Sequence, residues 1–127
     1  MSEDRFERGR KILYEIHAEN GHKAIERMKE TSPDFARYVQ EYAYGDIYAR
    51  PGLDLRSRQI ATLSALIALG FAERELHAHI QAGLKHGLSK DEILEIIIQM
   101  SVYAGFPAAV NALHAAEKVF AENESDA

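Results

Sequence analysis

The chain has 127 residues, enough for one compact domain with a real core and too few to divide comfortably into two. With 15 Lys and Arg against 20 Asp and Glu, its formal net charge of −5 disfavours non-specific binding to nucleic acid or to an anionic bilayer. The absence of cysteine removes disulfides, thiolate metal sites and thiol nucleophiles, so any active site here must work by acid–base and electrostatic means.

Residues Met1 to Gly21 are charged throughout and lack the apolar core of a signal peptide, and the expected location is the cytoplasm. Strand signals are nearly absent, while apolar residues recur at three- and four-residue spacing, so an all-α chain of about six to seven helices is expected. A first helix is predicted from about Glu3 to Glu19 with Phe6, Leu13 and Ile16 on one side, followed by a short one carrying Ala24, Ile25 and Met28. Ser32-Pro33-Asp34 starts a third: Ser caps, Pro is preset for the first turn, and Asp suits the positive helix end. Phe35, Tyr38, Val39, Tyr42 and Ile47 follow on one apolar face.

Arg50-Pro51-Gly52 ends that element, and a fourth helix is predicted from about Leu55 to Leu69, stopping at Gly70. A fifth runs from about Ala72 to His86, with Gly87 as its stop. Ser89 and Glu92 make a capping box for the sixth, and Leu88 can pack on Ile93 as a hydrophobic staple. Because Ile93, Ile96, Ile97, Met100 and Tyr103 are apolar around most of that helix, burial from more than one side is expected, including by a second subunit. Pro107 opens a final helix through Val110, Leu113, Glu117 and Phe120, and Glu122 to Ala127 reads as a polar, frayed tail. Ile96 to Ala116 is uncharged and long enough to span a membrane, but the Gly105-Phe106-Pro107 break divides it into two packed helices.

On the fifth helix Leu76, His79, Ile80, Gly83 and Leu84 share a face, so His79 points inward while His77, two positions away, does not. The same geometry argues against a metal site, since a His-x-His pair on a helix does not converge and Glu75 with His79 supplies only two ligands. His114 is expected to be a second inward histidine, on an alanine-rich helix that leaves room for a ligand, with Tyr103 between the two in sequence. Arg50, Arg56 and Arg58 cluster around a helix N-terminus, where a bound carboxylate, or pairing with Asp46, Asp54 or other acids, would offset their charge. Tyr38, Tyr42, Tyr44 and Tyr48 read as core or interface aromatics, with a phenol facing a pocket as the functional alternative. No Gly-rich phosphate loop, G-x-S-x-G, H-E-x-x-H or dinucleotide fingerprint is present.

The run Tyr44-Gly45-Asp46-Ile47-Tyr48-Ala49-Arg50-Pro51-Gly52-Leu53, with Arg58, His79, the Gly87 to Glu92 helix start, Gln99, Tyr103 to Ala109 and His114, resembles the carboxymuconolactone decarboxylase family, within the wider AhpD-like group. The likeness covers about Arg5 to Phe120, and the G-D-I-x-x-R-P-G-L segment is similar to the decarboxylases of the protocatechuate pathway more than to the peroxidases. It implies an all-helical protomer in a homo-oligomer, trimer or hexamer, with sites near subunit contacts. The peroxidase relatives place a Cys-x-x-Cys pair where this chain has Ala72 and Glu75, and the upstream glutamate of their relay is replaced by Gln59. Cysteine-based peroxidase activity is therefore excluded on chemical grounds.

The activity implied by the resemblance is cofactor-free decarboxylation of a small carboxylated lactone, 4-carboxymuconolactone to the β-ketoadipate enol-lactone, with no metal. Such a reaction needs two carboxylates held, charge on a carbonyl oxygen stabilised and a proton supplied. Arg58, supported by Arg50, is assigned to carboxylate binding, His79 to proton delivery, and His114 or Tyr103 to the oxyanion or a second contact, with Tyr48 and Gln99 as further substrate contacts. One departure is Ala104, where some decarboxylases of the family carry Cys. The alternative reading is a binding oligomer of the same fold, non-catalytic or acting on another substrate.

Overall fold

The structure, a computed structural model, describes residues 4–125. Seven α-helices and one π-helical segment account for most of these residues, and no strand occurs among them. The chain divides into two compact units, one ending at Leu55 and the other beginning at Arg56.

In the first unit, α1 (Arg5–His17) and α2 (Glu19–Thr31) are separated by Ala18, whose φ of 55° breaks the predicted run to Glu19. Leu13 and Ile16 of α1 and Ile25 of α2 are buried, as the amphipathic spacing predicts. The Ser32 hydroxyl accepts from the Phe35 amide at 3.2 Å and Pro33 occupies the first turn of α3 (Pro33–Tyr38), the predicted start. This helix then runs without a break into a π-helix over Val39–Tyr48, a feature that apolar periodicity does not foretell.

The inner face of this stretch differs from expectation. Ala36, Gln40, Tyr44 and Gly45 are buried, whereas Phe35, Tyr38 and Tyr42 lie exposed. The cause is backbone contact with α1: a Cβ on Gly9 would collide with the Gln40 carbonyl, and one on Gly45 would collide with the Arg5 carbonyl. At these two crossings only glycine fits, so the close backbone approach, not hydrophobicity alone, decides which side of the π-segment faces inward.

The second unit contains α4 (Leu55–Leu69) from Arg56 on, α5 (Glu73–Lys85), α6 (Lys90–Ala104) and α7 (Phe106–Ser125). Leu63 and Ile67 of α4, Leu76 and Ile80 of α5, and Ile93 and Ile97 of α6 share one core with Ala109, Ala112, Ala115, Ala116 and Val119 of α7. Gly70, Gly87 and Gly105 take positive φ at the ends of α4, α5 and α6, each at a predicted stop or break. The capping box is complete: Ser89 Oγ accepts from the Glu92 amide, and Glu92 Oε1 accepts from the Ser89 amide, both at 3.0 Å. Leu88 and Ile93, the predicted staple pair, are both buried.

On α7 the alanine stripe points in together with Val119, while Val110 and Leu113 point out, so the small residues let α5 and α6 approach closely. Of the predicted tail, Glu122 to Ser125 continue α7, with Glu122 meeting His77 at 3.1 Å and Glu124 meeting Lys90 at 3.2 Å, and Asp126 and Ala127 lie outside the described residues. No helix among the described residues is long and apolar enough to cross a membrane.

Candidate functional site

Gln59, Leu63 and Ile67 repeat every four residues and form the buried stripe of α4. On α5, Leu76, Ile80 and Gly83 form the buried stripe, and His79 sits at its edge, half-buried. The two stripes bring His79 Nδ1 to 2.9 Å from Gln59 Oε1. His77 leaves in another direction, to Glu122, as its spacing requires.

Gln59 is 0% exposed, and its amide nitrogen is buried without a hydrogen-bond partner among the described residues. Burial lowers the pKa of His79 from 6.5 to about 4, since removing the imidazolium from water penalises the charged form. At neutral pH the ring is therefore uncharged, and with Nδ1–H donating to Gln59 its lone pair lies on Nε2. Such a ring accepts a proton readily only once a nearby anion offsets the cost of burial.

Arg58, next to Gln59 in sequence, is half-buried near the start of α4. Arg56 pairs with Glu92, and the carboxyl of Glu92 is held below its usual range first by the Ser89 amide and then by Arg56. Arg50 lies in the first unit, where it is exposed just beyond the π-segment. Asp46, a predicted partner for this cluster, is occupied instead by Arg5 and Arg8 of α1. Tyr48 belongs to the first unit as well and stacks on Tyr44 at 5.2 Å between ring centres. The Tyr44 hydroxyl meets His17 Nε2 at 3.0 Å, and burial, followed by the neighbouring Tyr48, raises its pKa.

The expectation of a second inward histidine is not met. The His114 side chain is 63% exposed, with Nδ1 3.9 Å from Glu117. It lines an open groove of about 550 Å³ with Glu73, Asn111, Glu117, Lys118 and Ala121, and none of these is Gln59 or His79. The alanine face of α7 is the buried one, which turns His114 outward. Tyr103 is 79% exposed, and Gln99 also faces solvent. Among the described residues no group of three or more His, Asp or Glu is placed to hold a metal ion.

The Gln59 amide is the site residue whose contact the sequence reading missed. Its place on the Leu63 and Ile67 stripe was the available signal, because a glutamine at a core position must bond to something. The sequence profile of the carboxymuconolactone decarboxylase family matches residues 33–118. A 4-carboxymuconolactone decarboxylase of Acinetobacter baylyi is 36% identical over 119 residues, covering 93% of this chain and 88% of the relative. An uncharacterised 15.0 kDa protein of Paracoccus denitrificans is 33% identical, covering 83% and 79%. A nitrosuccinic acid decarboxylase of Metarhizium robertsii is 28% identical, covering 89% and 79%.

Proposed function

The chain belongs to the carboxymuconolactone decarboxylase family, and on that premise we propose that it is a cofactor-free carboxy-lyase acting on 4-carboxymuconolactone. The observation that carries this reading is the half-buried, neutral imidazole of His79, held by a hydrogen bond to Gln59, whose neighbour in sequence is the half-buried Arg58.

Decarboxylation of this lactone needs no electron sink beyond the substrate. As the bond from the γ-carbon to its carboxylate breaks, the electron pair moves through the ring alkene into the lactone carbonyl. Protonation at the α-carbon then restores the carbonyl and yields the enol-lactone and CO2. Arg58 holds a substrate carboxylate, which is the task for which a planar guanidinium is suited. The negative charge so delivered raises the proton affinity of His79, so that the ring neutral in the free protein takes up the proton and passes it to the α-carbon. Tyr103 or His114, exposed in the single chain, would serve the developing oxyanion from a second copy, with Gln99 as a further contact.

Tyr103, Gln99 and His114 are exposed in the single chain, alongside Ile98, Val102, Phe106, Val110 and Leu113. An apolar face of this extent supports self-association, for which the proposed form is a trimer or hexamer, and the proposed setting is the cytoplasm. A second reading is favoured by the similarity to a nitrosuccinic acid decarboxylase: the same site would act on a different small acid.

The test is incubation of the purified protein with 4-carboxymuconolactone and, separately, nitrosuccinic acid in D2O, with CO2 and products followed by NMR. The proposal expects CO2 from the lactone and one deuteron at the product's α-carbon. Turnover of nitrosuccinic acid alone moves the assignment to the second reading, and turnover of neither refutes decarboxylation of these acids.

A further inference from the structure

Position 59 lies on the buried stripe of α4, where Leu63 and Ile67 show what packing alone selects. A methionine or leucine there would fill the space without hiding a polar group. The chain instead buries a primary amide with its oxygen on His79 Nδ1 at 2.9 Å and its nitrogen without a partner among the described residues. A half-satisfied buried amide opposes folding, so packing does not account for it. The one bond it makes does: an acceptor on Nδ1 decides which ring nitrogen carries the hydrogen.

We infer that Gln59 is a positioning residue that holds His79 as the Nδ1–H tautomer, making Nε2 the atom that exchanges a proton with the substrate. The inference rests on the role proposed above for His79. An amide suits this task better than a hydrocarbon because it orients the ring, and it does so without placing a negative charge in the core. With Nδ1–H committed to the Gln59 oxygen, proton uptake occurs at Nε2 and delivery leaves from the same atom, and Nδ1–H never parts from its acceptor.

The test is two-bond ¹H–¹⁵N correlation of the histidine rings in the intact protein at neutral pH, with His79 assigned by the signals lost in His79→Asn. The expected result is a protonated Nδ1 and an unprotonated Nε2 for His79. Gln59→Glu keeps an acceptor and should keep Nδ1 protonated, while its carboxylate raises the proton affinity of the ring and moves protonation of Nε2 to higher pH. Gln59→Met removes it and should shift His79 toward the Nε2–H tautomer, with kcat lowered at least about tenfold and KM little changed.

A protonated Nε2 in the unaltered protein overturns the inference, and this spectrum decides even if Gln59→Met does not fold. Retention of both tautomer and kcat in Gln59→Met overturns it too. A tautomer that shifts as expected with kcat untouched has a different meaning: Gln59 orients the ring, but His79 is not the proton carrier, so the catalytic role fails while the positioning stands.

Discussion

A neutral imidazole in a low-dielectric setting ties stability to pH through a simple inequality. His79 has a folded pKa of about 4, below its ordinary 6.5, so between those values the unfolded chain binds a proton that the folded one refuses. The stability contributed by the neutral ring is therefore complete above pH 6.5 and is lost as pH falls toward 4, by roughly 3 kcal/mol at the acid end. Urea unfolding of His79→Gln at pH 7 and pH 5 should show a smaller acid loss than the unaltered protein, and an equal loss would mean that His79 does not titrate this way. The inward aspect of His79 was legible in its spacing from Leu76, Ile80 and Gly83. The outward aspect of His114 was not, because an alanine-rich helix buries its methyl groups and leaves larger residues outside.

Helix ends depend on a few adjacent residues, and they were the most legible feature of the chain. Ser32-Pro33, Ser89 with Glu92, and the glycines at 70, 87 and 105 all act where the sequence places them. Buried faces depend on what the neighbouring helix can accommodate, which a single segment does not disclose. In α3 and the π-segment, Phe35, Tyr38 and Tyr42 were the expected inner face, yet the Gly9 and Gly45 contacts exclude them. Gly9→Ala separates the two kinds of reasoning. Helix propensity alone predicts a gain of about 1 kcal/mol in the interior of α1. Collision of the new Cβ with the Gln40 carbonyl, a backbone group that cannot rotate away, predicts a net loss of about 1–3 kcal/mol. Urea denaturation decides the sign, and a stabilised Gly9→Ala would refute the close approach of α1 to the π-segment.

For the whole molecule, the apolar residues left outside α6 and α7 bear on association. Val102 and Phe106 are exposed on either side of Gly105, so replacing Val102 by Glu should leave the single chain's stability within about 0.5 kcal/mol. If a second copy covers this face, the same change should lower the mass measured by sedimentation equilibrium, and an unchanged mass would place any self-association elsewhere. The central claim concerns chemistry that needs only the substrate and the side chains of this protein, with His79 moving the proton. Its most direct test is the rate of ¹³CO2 release from carboxyl-labelled 4-carboxymuconolactone, comparing protein dialysed against chelator with its His79→Asn variant. The account predicts sustained turnover by the dialysed protein and a fall of about 10²–10⁴-fold in the variant, with its fold retained. Equal rates for the two proteins, or no release by either, would contradict it.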